Sequence, residues 1–204
     1  KFNLYATKRV LDVIGKNSIF NVLNPKFVKK LPIELESIFK LNDTEDNFSG
    51  ISIKPFPVPG KVALWLEDES KGKNFGSVEE DTIALEVTDT NNKKFFYIPA
   101  CASIPEWLLT KLDNSELIFF DGTLWQDDEM LKQNVGIKTG KRMGHISMSG
   151  QEGSIEILNK INIKRKIFIH INTTNPALLE DSDERKIANE NGWEVAYDTM
   201  EIKL

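Results

Sequence analysis

Asp121 and His170 are the residues whose types and positions best suit chemistry in this sequence. Each follows an apolar run typical of a buried strand, residues 117–120 before Asp121 and residues 167–169 before His170. In open α/β sheets, ligands bind at the carboxyl ends of strands. For Asp121, a carboxylate that accepts N–H bonds within an Asp-Gly turn is an equal alternative. For His170 we favour a site over a buried, satisfied histidine, because the chain has only two histidines.

His145, the other histidine, lies in a loop-like segment, residues 139–150, which also contains Lys141 and Arg142. The segment precedes a predicted helix, so it can offer N–H donors, two cations and an imidazole to an anionic ligand. A plain capping loop is the alternative. Asp121, His145 and His170 follow consecutive strand or loop ends and can converge on one sheet edge. One carboxylate and one or two imidazoles make an incomplete metal set, because zinc and non-haem iron take at least three protein ligands.

Other polar candidates have simpler structural interpretations. Asp127, Asp128 and Glu129 resemble ligands, but we expect them to form the negatively charged first turn of a helix. Cys101 follows a predicted strand and is expected to be an inert, partly buried thiol. The sequence contains no glycine-rich phosphate loop, nucleophile elbow or Cys-x-x-Cys pair, and its four tryptophans are too scattered for a nucleic-acid platform.

The elements that position these residues are predicted from apolar periodicity. Period-2 or continuous apolar patterns predict strands at residues 2–6, 33–39, 51–56, 62–66, 83–87, 95–98, 117–120, 167–169 and 193–197, with residues 200–204 as a further candidate. Helices are predicted around residues 10–14, from Pro105, for about three turns after a capping box at 149–152, and from Ser182 or Asp183 to Gly192. Residues 67–81 are predicted to form a mobile surface loop, and Asn91-Asn92 a hairpin turn. Strand-rich sequence followed by β-α-β-α-β units indicates a layered α/β protein.

Composition and charge narrow the class of protein. The 204 residues fit one domain, residues 1–204, and the net charge of −5 argues against capture of nucleic acid or anionic membrane. No apolar run is long enough for membrane insertion, and a single cysteine permits no internal disulfide. We therefore expect a cytoplasmic protein. Because the chain begins with Lys1, we also expect it to be part of a longer protein.

Four segments together carry a family resemblance. Residues 120–130, 139–145, 169–176 and 192–198 closely resemble the PqqB family, coenzyme PQQ synthesis protein B, of the metallo-β-lactamase fold superfamily. The resemblance covers nearly the whole chain and is densest from Phe95 onward. The family also has an N-terminal half with a cysteine-rich zinc motif and an Asp-His segment, neither of which occurs in this sequence. The resemblance implies an αββα sandwich with a metal site at one edge, incomplete because this chain supplies the second sheet, its helices and part of the first.

The resemblance also implies roles for individual residues. His170 matches the last histidine-ligand motif, and Asp121 matches the carboxylate motif, as a metal ligand or a carboxylate beside the metal. His145 matches a Gly-His loop that lines the site and assists proton transfer. Asp81 lies near the position of a middle histidine that this chain lacks, which argues against ordinary dinuclear zinc hydrolysis. The implied substrate contacts are Lys141, Arg142 and Asn172.

The function implied by the resemblance is pyrroloquinoline quinone (PQQ) biosynthesis, through Fe(II)- and O₂-dependent hydroxylation of the tyrosine of a Glu-Tyr precursor. The implied partners are a small-molecule or dipeptide PQQ precursor and other proteins of the pathway, with the oligomeric state left open. A carrier that binds PQQ or its precursor is one alternative, in which the cations would bind carboxylates. A zinc-dependent hydrolase of the same fold is another.

Overall fold

The computed structural model describes residues 1–72 and 74–204 and contains two sheets. In the smaller sheet, β1 (Phe2–Thr7) pairs in parallel with β2 (Val28–Ile33), and helix α1 (Lys8–Lys16) lies between them in the chain. The larger sheet has seven strands in chain order. They are β3 (Phe39–Asn42), β4 (Phe48–Pro57), β5 (Ile83–Thr88), β6 (Lys94–Ile98), β7 (Ser115–Asp121), β8 (Ile163–Ile169) and β9 (Trp193–Val195).

The larger sheet changes from antiparallel to parallel at β6. Strands β3 to β6 are antiparallel neighbours, and Asn92 adopts a left-handed backbone (φ 60°) in the predicted turn between β5 and β6. Strands β6 to β9 are parallel, so each connection must cross back to the starting edge. The crossovers contain α2 (Glu106–Leu112), then α3 (Glu129–Lys132), α4 (Gly140–Met143) and α5 (Ser154–Leu158), and finally α6 (Asp183–Glu190). The carboxyl ends of β7 and β8 therefore lie side by side, with Asp121 opposite Ile169.

Burial in the core explains why the sequences of β7 and β8 are continuous apolar runs. Ile118, Phe120 and Phe168 are fully buried, and the Phe168 ring stacks on Trp193 of β9 with centroids 4.0 Å apart. Leu108 of α2 is also fully buried in this core. Burial of each such side chain contributes about 1.5–3 kcal/mol of transfer free energy, which fixes the strands that carry the site.

Most of the predicted elements are confirmed. Helix α1 begins after Thr7, whose side chain accepts a hydrogen bond from the Val10 N–H, and α6 begins after Ser182, whose side chain caps Arg185 in the same way. Helix α2 begins directly after Pro105. Within the predicted loop 67–81, the structure describes two short 3-10 helices, Glu69–Lys71 and Glu79–Asp81, while Lys73 lies outside the described residues.

Two predicted strands in the first half are wrong. Residues 33–39 do not form one strand, because Glu36 adopts a left-handed backbone (φ 60°) and separates the end of β2 from the start of β3. Residues 62–66 do not form a strand either. The Val62 N–H is donated to the Ser77 hydroxyl (2.8 Å), and residues Leu64–Leu66 form a 3-10 helix with Trp65 exposed. Alternation alone does not show whether a neighbouring strand is available.

Three predictions in the second half of the chain are also wrong. The helix predicted after the capping box at 149–152 is only five residues long, Ser154–Leu158, and Gly153 caps it. Ser149 does not cap it, because its hydroxyl is donated to the Trp125 carbonyl (2.7 Å). Strand β9 ends at Val195, two residues earlier than predicted, and residues 200–204 form no strand. Among the described residues, no helix is both long enough and apolar enough to span a membrane.

Candidate metal centre

Asp121, His145 and His170 meet where β7 and β8 end. Asp121 is the last residue of β7, His170 directly follows β8, and His145 follows α4 by two residues. One ligand atom from each of the three side chains lies within 4.8 Å of the other two. Within residues 1–72 and 74–204 this is the one group of at least three His, Cys, Asp or Glu side chains that is arranged to hold a metal ion. The convergence predicted from strand order is therefore confirmed.

Asp121 is anchored by the backbone around it. Its carboxylate is fully buried, and its Oδ2 atom accepts the Cys101 N–H (2.9 Å). Its Oδ1 atom accepts both the N–H (3.0 Å) and the hydroxyl (2.6 Å) of Thr123. The Asp-Gly turn and the functional site are therefore compatible at this position, because the same carboxylate satisfies the turn and faces the two histidines.

The Thr123 hydroxyl connects all three members of the group. It has one proton, which it donates to Asp121, so it must accept from the imidazoles at its other contacts. The Nδ1 atom of His145 lies 3.0 Å from this hydroxyl and 2.8 Å from Asp121 Oδ2, and the Nδ1 atom of His170 lies 2.8 Å from the hydroxyl. This network assigns a proton to both Nδ1 atoms. In the neutral imidazoles the Nε2 atoms then keep free lone pairs, for a metal or for a proton.

The electrostatics of the group keep Asp121 ionised. Burial raises the pKa of its carboxyl, but the hydrogen bonds from His145 and Thr123, together with the nearby His170 imidazole, outweigh burial and hold that pKa below its ordinary value. The Asp121 carboxylate, 4.0 Å from the His170 Nδ1 atom, in turn raises the pKa of His170. Cys101, beside the carboxylate, is buried and its pKa rises to about 12. The thiol is fully buried, where the sequence predicts partial burial, and its inertness stays a prediction.

His170 is positioned by a left-handed backbone conformation. Its φ is 56°, a value that few non-glycine residues adopt. The neighbouring backbone holds it in place, because the Gly122 N–H is donated to the Ile169 carbonyl (2.8 Å) and the Asn172 N–H to the Thr123 carbonyl (3.1 Å). The turn after β8 is thus tied to the turn after β7, which brings the His170 ring within hydrogen-bonding distance of Thr123.

The predicted substrate contacts lie outside this group of three. Arg142 forms a bidentate ion pair with Glu67, at 2.8 and 3.2 Å, and Lys141 pairs with exposed Glu152 at 3.2 Å. Asn172 donates its side-chain amide to the Thr174 hydroxyl at 2.8 Å. These contacts do not test a role in binding substrate, which stays a prediction.

The remaining predicted carboxylates are structural. Asp81 accepts a hydrogen bond from Arg9 Nε at 2.5 Å and lies outside the group of three. The acidic first turn after Trp125 is confirmed in part, because Asp128 is the N-cap and Glu129 the first residue of α3. The buried Glu129 carboxylate accepts the Trp125 N–H at 2.6 Å and the Thr174 hydroxyl at 2.7 Å, which joins the segments after β7 and β8.

Sequence reasoning missed Thr123 and Glu129 as supports of the site. The available signal was the position of Thr123, two residues after a strand-ending aspartate, where threonine commonly completes a turn. That a single hydroxyl reaches both histidines depends on the distance between two strand ends. Only the folded chain sets this distance.

The three side chains fit a catalytic type of metal ion. One carboxylate and two imidazoles suit Zn²⁺ or Fe²⁺, and three protein ligands leave positions open for water and substrate. Ligand atoms about 2.0–2.2 Å from a shared ion are at most about 4.4 Å apart. The three side chains each offer a ligand atom within 4.8 Å of the others, which is close to that spacing.

Comparison with known protein families shows the class of protein to which the chain belongs. A family model described as "Beta-lactamase superfamily domain" matches residues 1–171, so the chain belongs to the β-lactamase superfamily. The two-sheet α/β architecture and the His/Asp group at the strand ends agree with this assignment. A diphosphatase of the PhnP family shares the fold alone, at 16% identity and a TM-score of 0.56, over 97% of this chain and 56% of that chain.

More similar relatives identify the chain within the superfamily. It is 47% identical over its whole length to coenzyme PQQ synthesis protein B of Bradyrhizobium diazoefficiens, and 45% identical to that of Xanthomonas oryzae pv. oryzae. The crystal structure of Zn²⁺-bound PqqB from Methylobacterium extorquens matches the whole chain with a TM-score of 0.89 at 42% identity. The chain is a homologue of coenzyme PQQ synthesis protein B. It spans 65–66% of the length of these relatives, and its fold is correspondingly part of theirs.

Proposed function

We propose that this chain carries part of the metal centre of a PQQ-biosynthesis protein, and that the reaction is iron-dependent hydroxylation of the tyrosine in a Glu-Tyr precursor. The observation that carries the proposal is the arrangement of Asp121, His145 and His170, in which both imidazoles are held through Nδ1. The similarity of the whole chain to the PqqB relatives supports the pathway. The donor set supports a metal with open positions.

The overall reaction is balanced by an external reductant. One oxygen atom of O₂ enters an aromatic C–H bond, the other leaves as water, and two electrons come from a thiol or ascorbate-type donor. Bound Fe(II) would supply the activation of O₂. The residues of this chain that would hold it are His170 and Asp121.

The chain's own residues account for positioning and proton transfer. His145 donates its Nδ1 proton to Asp121, so its Nε2 atom is free to accept the phenol proton of a tyrosine. The ionised Asp121 stabilises the imidazolium that this transfer creates, at an Nδ1–Oδ2 distance of 2.8 Å. Because Asp121 is fully buried, this stabilisation is screened little by solvent.

A zinc-dependent hydrolase is the second candidate function. The observation that favours it is the Zn²⁺ bound in the homologous crystal structure. In that reaction His145 would transfer a proton to or from water by the same Nε2 atom.

The test uses the full-length protein, freed of metal and reloaded with Fe(II) or Zn(II). We expect a Glu-Tyr peptide to gain one oxygen atom only with Fe(II), O₂ and reductant, as read by mass spectrometry. His170→Ala should abolish the reaction and lower iron affinity, whereas Lys164→Gln, at an exposed ion pair with Glu116, should change neither. Zinc-dependent cleavage without O₂ would favour the hydrolase. Metal-independent binding of PQQ without turnover would refute both enzymatic functions and favour a carrier.

A further inference from the structure

A pocket of about 380 Å³ is lined in part by residues that neighbour the candidate metal centre in sequence. Gly144, the residue before His145, lines it, and so does Ala102, which follows the Cys101 N–H that holds Asp121. The pocket shares its backbone walls with the segments that fix Asp121 and His145.

The pocket lies in an excess of positive charge. Lys61, Lys138 and Arg142 converge on Glu67, and three cations against one carboxylate leave a surplus of two positive charges. Glu69 also acts on Arg142 at longer range, and when its charge is included a surplus of one positive charge remains around Glu67. Glu67 is only 8% exposed, and its hydrogen bonds from Arg142 and Lys61 lower its pKa to about 2, so it stays ionised at any ordinary pH.

An aromatic ring holds two of these cations at the pocket wall. The Arg142 guanidinium lies 4.1 Å from the centroid of the Phe75 ring, and Lys61 Nζ lies 5.2 Å from it. Phe75, Lys61 and Arg142 all line the pocket. Gly144 makes the approach of Lys61 possible, because a Cβ atom on Gly144 would lie 2.9 Å from the Lys61 Cβ.

Hydrogen-bond donors remain available on these side chains. Among the described residues, the Lys61 ammonium uses two of its three donors, for Glu67 and for the Arg142 carbonyl (2.9 Å). The Arg142 guanidinium has five N–H donors, and Glu67 engages its two terminal nitrogens. Lys141, also in the pocket lining, has an exposed partner in Glu152 that solvent screens.

We propose that this pocket binds a carboxylate of a small-molecule ligand, with Lys61, Lys141 and Arg142 as its donors. Its role as the place that holds the substrate's carboxylate rests on the proposed function, but carboxylate binding itself does not require the metal. Lys61 is a residue that the sequence patterns did not single out. Its contribution depends on Gly144 and Phe75, which reach it from separate parts of the chain.

The experiment titrates metal-free full-length protein with glutarate, a dicarboxylate, and follows backbone amide signals by NMR. We expect shifts at Gly144 and Phe75 that saturate with glutarate. The neutral isostere glutaramide should produce none, and inorganic phosphate should bind more weakly. The carboxylate assignment would be overturned if glutaramide shifted the same signals as much as glutarate does. It would also be overturned if phosphate bound as tightly as glutarate or more tightly, or if glutarate produced no localised shift.

Two variants and one matched control locate the binding. Lys141→Gln should weaken glutarate binding by about two- to fivefold, as expected for an exposed charge. Lys61→Gln should weaken glutarate binding by about tenfold or more, because the Lys61 side chain is only 12% exposed. Lys164→Gln removes the same charge from another exposed pair and should leave the affinity unchanged. If Lys61→Gln fails to fold, Lys141→Gln still decides the result. An equal effect of Lys141→Gln and Lys164→Gln would overturn the proposal. Glutarate binding without peptide turnover would contradict the proposed function alone.

Discussion

Replacement of Thr123 by valine tests how the candidate metal centre is held together. Valine has nearly the same shape but removes the hydroxyl that donates to Asp121 at 2.6 Å and accepts from both histidines. We expect the change to destabilise the metal-free protein and to weaken metal binding. The two effects have separate causes and can be measured separately.

The stability loss follows from what each partner retains. Asp121 keeps the Cys101 N–H and the backbone N–H of residue 123, and His145 keeps Asp121. His170 has a half-exposed side chain, so water can replace the hydroxyl there. The main loss is therefore one hydrogen bond to a buried carboxylate, worth about 1.5–3 kcal/mol. With an m-value of about 2 kcal/mol/M, the urea midpoint should fall by about 1 M.

The loss of metal affinity follows from the tautomers. Without the hydroxyl, the described residues offer the His170 Nδ1 atom no acceptor within hydrogen-bonding distance, because Asp121 Oδ1 is 4.0 Å away. The ring can then rotate and take either tautomer. Loss of such an orienting partner lowers metal affinity by about 10–100-fold. The assays are competition titration with Zn(II) and ¹⁵N NMR of the imidazoles, with Thr123→Ser as the control that retains the hydroxyl. Unchanged zinc affinity and an unchanged His170 tautomer in Thr123→Val would refute the assigned network.

Three further predictions concern the surroundings of the centre. Cys101, fully buried and with a pKa of about 12, should resist alkylation at pH 8 in the folded protein and react on unfolding in urea; rapid labelling of folded protein would contradict its burial. Because the pKa of Glu67 is lowered from 4.5 to about 2, its stabilising contribution should be complete above pH 4.5 and be lost as the pH falls toward 2. Unfolding of wild type and Glu67→Gln across that range should converge in acid, and a constant difference would contradict the ion-pair assignment. Gly144 and Gly150 share a φ of 90°, but only Gly144 contacts Lys61, so Gly144→Ala should cost about 1–3 kcal/mol more than Gly150→Ala in urea unfolding; equal costs would contradict the close approach.

Elements whose signal is local could be predicted from the sequence alone. The apolar runs before Asp121 and His170 identified two buried strands, and strand order was enough to predict that their polar ends converge. Helix starts at Thr7 and Ser182 follow from side chains that cap the next turn, which neighbouring residues alone decide. The family resemblance, confirmed by the relatives, also rests on contiguous motifs.

Hydrogen-bond partners and side-chain positions that depend on residues distant in the chain could not be predicted and are known only from the folded structure. Residues 62–66 alternate like a strand but lack a strand partner, because the Val62 N–H is donated to Ser77. Thr123 is an ordinary turn residue until two strand ends place both imidazoles within 3.0 Å of its hydroxyl. The position of the Lys61 side chain likewise depends on contacts with Glu67 and Phe75, and the residues next to Lys61 in sequence do not predict these contacts. Local patterns determine secondary structure through short-range hydrogen bonds and burial, whereas a site requires distances between strands and loops that only the packed core fixes.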